Sequence, residues 1–479
     1  MAVLEHLEPR EVFFHFEELC HIPHGSGNTK AVSDYLVSFA RRHGLRYIQD
    51  GQNNVIIFKD GSAGYEHARP VILQGHMDMV CEKSASCEKN MVMEGLDLAI
   101  EGDMIYARDT TLGGDDGIAV AMALAILAAE DLPHPPIEAV FTVDEEVGML
   151  GAADIDVSML RSRRLLNIDS EDEGVFTVSC AGGSVATCTL PIRRSDYSGH
   201  ALTVTLEGLQ GGHSGVEINK GRGNANIIMG RILNKLSEAT RMRLISVDGG
   251  GKDNAIALRT VARVVVKNEE KARSVCREME KVLQEEYRVT DPGVKVCVIA
   301  SEEAAAMDED STRRVIGMLM NVPNGVQVMS ADIDGLVQTS LNLGILATEQ
   351  MEVRAVFSVR SSVESQKQWL WERLGSLMGL LGGEVTVSGD YPAWAYRQDS
   401  PLRELMTEVF TEQYGYAPRV EAIHAGLECG LFCGKLPGLD CISFGPELRE
   451  IHTVREKMSI SSVQRVWAML IEVLRRMKA

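Results

Sequence analysis

The chain has 479 residues, 45% hydrophobic and 24% charged, with a formal charge of −20. That balance excludes a disordered or fibrous chain, and the length suits two large domains or about three ordinary ones. An acidic field with 5% aromatics repels phosphate backbones and offers few stacking platforms, so no nucleic-acid partner is expected.

PREVFFHFEELC carries an apolar stripe at helical spacing, HIPHGSGNTK is a turn, and AVSDYLVSFARRHG resumes the helical period. The N-terminus has neither a basic start nor an apolar run ending in a cleavage site, so a cytoplasmic location is expected. Short apolar runs follow: NVIIFK, PVILQGHMDMV, IEAVFTVDEEV and LLNIDSED. Between them lies the uninterrupted apolar stretch Ile118 to Ala129. A membrane span needs ~20 residues, so this stretch reads as a buried core helix and no membrane partner is expected. Strands alternating with helices predict a mostly parallel sheet covered on both faces.

From about Gly183 the strands become amphipathic and longer (ALTVTLEGL, AIALRTVARVVV, EQMEVRAVFSV) and alternate with charged helices. The reading is an α/β domain, 1–182 and 392–479, interrupted by an α+β insert at 183–391. Beyond the insert, Leu402 to Gln413 is helical and LDCISFGPELREIHTV gives another buried strand and loop. Ten scattered cysteines without a CxxC pair suit reduced, buried thiols rather than a disulfide framework.

Candidate ligands gather at strand ends. In VILQGHMDMV, His76 and Asp78 are two apart, which on a strand places them on one face. His76 could then bind a metal while Asp78 accepts its other ring N–H; a surface loop pair is the plain alternative. Asp115 and Asp116 sit in a Gly-rich turn before the core helix, where carboxylates ligate metal or simply cap the helix. From this segment alone, capping is the simpler reading. Asp144, Glu145 and Glu146 end an apolar strand; one could ligate metal while a neighbour acts as general base, and a solvated acidic loop is the alternative. NIDSEDEG adds Asp169, and a late His452 completes the set. His, Asp and Glu after successive hydrophobic strands are what a two-metal hydrolase needs, and nitrogen and oxygen donors without cysteine favour Zn2+, with Mn2+ or Co2+ as substitutes.

GHMDMV, TTLGGDDGIAVAMA, DEEVGMLGA, NIDSEDEG, GGHSGVEINKGRGNAN, HAGLECG and the late histidine together resemble the M20 metallopeptidases over essentially the whole chain. Within them the match is to the branch that cleaves Xaa-His dipeptides. The resemblance implies a zinc-exopeptidase-like α/β catalytic domain with a mixed, mostly parallel sheet between helices, interrupted by an α+β lid domain. It implies two Zn2+ per chain: His76 and Asp169 on one, Glu146 and His452 on the other, and Asp115 bridging them together with a water or hydroxide. The peptide Asp115–Asp116 is expected to be cis, Asp78 to orient His76, and Glu145 to be the base. His213 in GGHSG would stabilise the oxyanion. Asn254, Arg360 and Gly426 would hold the substrate, with Arg360 clamping a free C-terminal carboxylate, and His424 and Glu428 would line the site. The implied reaction is hydrolysis of short peptides, Xaa-His and β-alanyl-histidine foremost; another M20 amide hydrolysis, of other di- or tripeptides or of N-acyl amino acids, would use the same metal core. Two departures stand out: GGDDG where relatives more often have GADNG, and TVREKM after His452 where a Ser-Pro-acidic run is usual. A protein that had lost the chemistry would lack a ligand or Glu145, and none is missing. No GxGxxG or GxxxxGK[ST] loop suggests a nucleotide. A homodimer is the default assembly for such an enzyme.

Overall fold

The computed structural model describes residues 2–302 and 304–478. Two compact units emerge: one runs through Ser179 and resumes at Tyr396–Ala422 and from Leu427 onward, and the other comprises Cys180–Ala395 with Ile423–Gly426. The short Ile423–Gly426 piece joins the second unit because the Ala181 N–H donates to the carbonyls of Ile423 (3.2 Å) and Ala425 (3.1 Å).

The first unit is built on an eight-stranded mixed sheet. Its centre is parallel: Ile137–Thr142 beside Val71–His76, then Arg164–Asn167, then Asp440–Ser443. Antiparallel strands flank it, Val55–Lys59 and Arg46–Gln49 on one side and Val175–Cys180 on the other. Every residue of Val71–His76 and Ile137–Thr142 is buried, as strands covered on both faces require. The apolar stretch read as a core helix lies in Gly114–Ala128, buried from Gly117 to Leu127. Each fully buried Leu, Ile or Val there stabilises the fold by ~1.5–3 kcal/mol. Among the described residues, no helix is long and apolar enough to cross a membrane. The expected helices at the start are Arg10–Cys20 and Lys30–Arg42, and the later one is Pro401–Tyr414. A small sheet of Leu98–Glu101, Met104–Ala107, Lys457–Ser459 and Leu448–Arg449 was not foreseen; its strands of two to four residues are too short to show a period.

The second unit is a nine-stranded antiparallel sheet. It shares an apolar core with the helices Ala225–Ala239, Glu269–Glu286, Glu309–Asn321 and Glu364–Leu381. Most strands alternate buried and partly exposed residues, as in Gly182–Pro191 and Thr260–Val266, the period-2 pattern of a sheet with one covered face.

Candidate functional site

In the first unit, the buried strand Val71–His76 carries His76 to its C-terminal end. Its Nε2 lies 3.0 Å from Asp115 Oδ1 and 3.6 Å from Asp169 Oδ1. On the other side of the ring, Nδ1 is 3.0 Å from the Asp78 backbone carbonyl and 3.5 Å from the Asp78 carboxylate. The main-chain carbonyl of Asp78 is the nearer acceptor, and its carboxylate lies beside the same nitrogen. The strand also ends at His76, so Asp78 approaches through the following loop rather than from a shared strand face. With Nδ1–H donating, the Nε2 lone pair points at the carboxylates. The Asp78 carboxylate accepts from Ser26 Oγ (2.8 Å) and from the Glu145 N–H (3.1 Å), which ties the loop of the general-base candidate to the loop after His76.

Asp115 does not cap its helix. The cap position is Gly113, in the left-handed region at φ 69°, and no side chain caps it. Asp115 and Asp116 have non-helical backbone angles, and the peptide between them is cis. Asp115 offers one oxygen to each histidine: Oδ1 to His76, and Oδ2 to His452 Nε2 at 3.2 Å. His452 Nε2 also lies 2.9 Å from Glu146 Oε1. His452 and Glu450 both hold left-handed backbone angles (φ 59° and 52°), a conformation that costs a non-glycine residue ~1 kcal/mol or more and persists where surrounding structure imposes it. Nearby in the chain, Glu456, 3% exposed, accepts the backbone N–H groups of Leu112 (2.8 Å), Gly113 (3.2 Å) and Gly114 (2.8 Å). It belongs to the unusual TVREKM segment, so that segment anchors the turn bearing Asp115.

The electrostatics of this cluster call for positive charge. Burial lifts the Glu145 carboxyl to about 9 against the attraction of His76, with Asp169, Glu428 and Glu146 adding repulsion. Burial, with repulsion from Asp115 and Glu146, raises Asp169 to about 6. Burial raises Glu171 and Glu428 to about 7 and Asp116 well above the carboxylate range. Burial also acts on Asp115, but His452 and His76 outweigh it and hold that carboxyl low. Asp115 and Glu146 raise His452 to about 10. Packed acids that burial drives toward protonation would ionise around a cation, because a cation offsets both desolvation and repulsion. Donor atoms of His76, Asp116 and Asp169 lie within 4.8 Å of one another, as do those of Asp115, Glu146 and His452 and those of His76, Glu145 and Glu146. The donors are imidazole and carboxylate, which fits Zn2+, Mn2+ or Co2+.

The second unit gathers a different set. His213 Nδ1 accepts the N–H groups of Gly215 (3.2 Å) and Val216 (3.3 Å), so its proton sits on Nε2. Burial and the nearby Arg360 charge lower the His213 pKa and favour that neutral form. The main-chain carbonyl of Asn254 accepts the Ser214 N–H at 2.9 Å, placing the residue beside His213. Arg360, 9% exposed, donates from Nη1 to Tyr391 Oη at 3.3 Å, and its Nε has no partner. Gly183 faces Arg360 in register; a Cβ there would lie 2.3 Å from Tyr391 Oη, so only glycine lets that phenol lie against the strand. The buried Lys367 ammonium donates to the Tyr391 carbonyl at 2.8 Å. His424 Nε2 pairs with Ser340 Oγ at 2.7 Å, and burial, reinforced by Arg360, pushes it down to about 3. Gly426 closes the segment Ile423–Gly426.

The model of "Peptidase family M20/M25/M40" matches residues 72–476. The chain belongs to this peptidase family. Among curated M20 proteins it is similar to the cytosol non-specific dipeptidase of Escherichia coli K12, with 34% identity and both chains covered completely. Among solved structures it is similar to aminoacylhistidine dipeptidase from Vibrio alginolyticus, with TM-score 0.94, 34% identity, and 99% of this chain and 98% of that one covered. An aminopeptidase from Bacillus cereus shares the fold at TM-score 0.57 and 14% identity, over 99% of this chain and 100% of that one.

Sequence reading gave no role to Glu456, Tyr391 or Ser340 in this M20 chain, and left Asp116 between metal ligand and helix cap. Asp116 stood in the motif beside Asp115, and only its placement within 4.8 Å of His76 and Asp169 separates it from a capping residue. Glu456, Tyr391 and Ser340 carry no local signal, because each acts on a segment distant in sequence.

Proposed function

We propose that this M20 peptidase is a metal-dependent dipeptidase that uses two divalent cations, Zn2+ in the first instance, and prefers Xaa-His dipeptides including β-alanyl-histidine. The observation that carries the reading is Asp115 dividing its two oxygens between His76 and His452, the arrangement a carboxylate needs to serve two ions at once. His76 and Asp169 would hold one ion and Glu146 and His452 the other; Asp116 is near enough to His76 and Asp169 to contribute. The two relatives at 34% identity, a cytosol non-specific dipeptidase and an aminoacylhistidine dipeptidase, support the substrate class. The divided first unit serves as the catalytic domain and the second as its lid.

Such cations supply an acidified water and a polarised carbonyl. Glu145 takes the attacking water's proton and returns it to the leaving amine. Asp78 holds Glu145 in place through its backbone N–H. His213, with its proton on Nε2, donates to the oxyanion. Arg360 pairs with the substrate's C-terminal carboxylate, and Asn254 and Gly426 complete the substrate contacts.

Release of free amino acids from Xaa-His, Xaa-Leu and β-alanyl-histidine dipeptides, with and without a chelator and after zinc add-back, tests this. Chelator-sensitive release concentrated on Xaa-His peptides is expected. Equal cleavage of all of them leaves a broad dipeptidase, and no release after zinc is restored overturns the proposal. Arg360→Ala is expected to lower kcat/KM for dipeptides roughly ten- to hundredfold, the worth of a charge-assisted contact at ~1.5–3 kcal/mol. The loss should fall on KM and be absent for dipeptide amides, which have no carboxylate to clamp. Tyr391→Phe removes one hydrogen bond from Arg360, worth ~1 kcal/mol. A rise in KM of about fivefold at unchanged kcat is the expected kinetic result.

A further inference from the structure

The central parallel strands present His76 and, just past its strand, Asp169 at their C-terminal ends. Their opposite ends open on a cavity of about 480 Å3. Pro70 precedes Val71–His76, and Arg164 and Asp440 begin their strands in direct register. At ~3.3 Å per residue, a six-residue strand puts this cavity roughly 20 Å from the carboxylate–histidine cluster.

The lining is strongly basic for a chain of net charge −20. Arg69, Arg161, Arg163, Arg164 and Arg397 all line it, and none of the five forms an ion pair with a carboxylate among the described residues. Three are braced by neutral carbonyls, which fix a guanidinium without cancelling its charge. Arg163 Nη1 donates to the Ser162 carbonyl (2.7 Å), Arg164 donates to the carbonyls of Arg69 and Pro70, and Arg397 donates to those of Asp399 (2.6 Å) and Gly438 (3.2 Å). The side chains of Arg69 and Arg161 have no hydrogen-bond partner among the described residues. Burial, with the Arg69 charge adding to it and the Asp440 charge opposing it, holds the Arg164 pKa below its ordinary value.

The one carboxylate in the lining, Asp440, offsets this charge only in part. Asp440 is spent on Ser400 Oγ (2.6 Å) and on the Leu402 N–H (3.0 Å), at the start of the helix Pro401–Tyr414. Arg476, also in the lining, is neutralised by Glu408, Glu412 and Glu472 and adds nothing. Leu402, Leu405 and Met477 supply an apolar wall beside the arginines. The volume lies within the range of small-molecule sites, and guanidinium forks match phosphate oxygens bidentately.

We propose that this cavity is a second ligand site, remote from the peptidase centre, that binds the dianionic phosphate group of a small molecule. Five braced or free arginines line it and would pair with the phosphate oxygens, and the apolar wall would accommodate an organic moiety attached to them.

Isothermal titration of the zinc-loaded enzyme at fixed physiological ionic strength, with inorganic phosphate and with adenosine monophosphate as probes, tests the assignment. One saturable site per chain is expected. Affinity should fall at least tenfold in the double variant Arg69→Ala, Arg161→Ala, whose exposed side chains hold no structural contact, and should be unchanged in the exposed control Arg288→Ala. Tighter binding of adenosine monophosphate assigns the apolar wall to an organic moiety; equal affinities assign the site to the phosphate group alone. Absence of saturable binding, or equal binding by the double variant, overturns the proposal. The readout does not pass through peptide hydrolysis, so failure of the dipeptidase reading would leave it standing.

Discussion

Glu145→Gln is expected to lower kcat about a thousandfold, within the range of ~10²–10⁴ that a positioned general base contributes. Glutamine keeps the shape of the side chain and the Glu145 backbone N–H bond to Asp78 but cannot accept a proton at working pH. KM should stay within a few-fold, because the groups assigned to the substrate carboxylate lie on the other unit. The decisive companion measurement is metal content. A Glu145 oxygen lies within 4.8 Å of donor atoms of His76 and Glu146, close enough to be a ligand itself. Inactive protein that still carries two zinc ions per chain makes Glu145 the base, whereas loss of an ion together with activity makes it a ligand and removes the assigned base.

Glu456→Ala should destabilise the first unit by about 3 kcal/mol. Three backbone donors, of Leu112, Gly113 and Gly114, point at one buried carboxylate. An unsatisfied buried donor costs ~1–3 kcal/mol, and water entering the vacated space would recover part of that. The same change frees the turn that aims Asp115, so affinity for both ions should weaken together. Hydrogen exchange at residues 112–117 and zinc titration measure the two effects. Faster exchange confined to that turn, with Glu456→Gln in between because its amide retains one accepting oxygen, is the expected pattern. Exchange rates unchanged from the parent protein would show that the turn does not depend on this carboxylate.

The reach of sequence reading differed between parts of this chain for physical reasons. Val71–His76, Ile137–Thr142 and the helix over Gly114–Ala128 were legible because burial on both faces leaves continuous apolar runs. Their ends were legible because polar donors interrupt those runs abruptly at His76, Asp115 and Glu145. Local rules misled at two points. The His76–Asp78 spacing suggested a shared strand face, yet the strand stops at His76. The acids before an apolar helix suggested a cap, yet Gly113 takes the cap position and turns Asp115 toward the histidines.

By itself, the sequence determined the fold class and the family, since both are written in local periodicity and short motifs. Only the tertiary structure decided which atoms meet. Strand register pairs Arg164 with Asp440, and sheet order sets Gly183 between Arg360 and Tyr391. The carboxylate that steadies the Asp115 turn comes from Glu456, more than 300 residues away. The arginine-lined cavity is the extreme case, because residues near positions 69, 163 and 397 share no motif or period. Contacts of that separation are fixed by the packing of whole elements, and packing leaves no mark on the local order of residues.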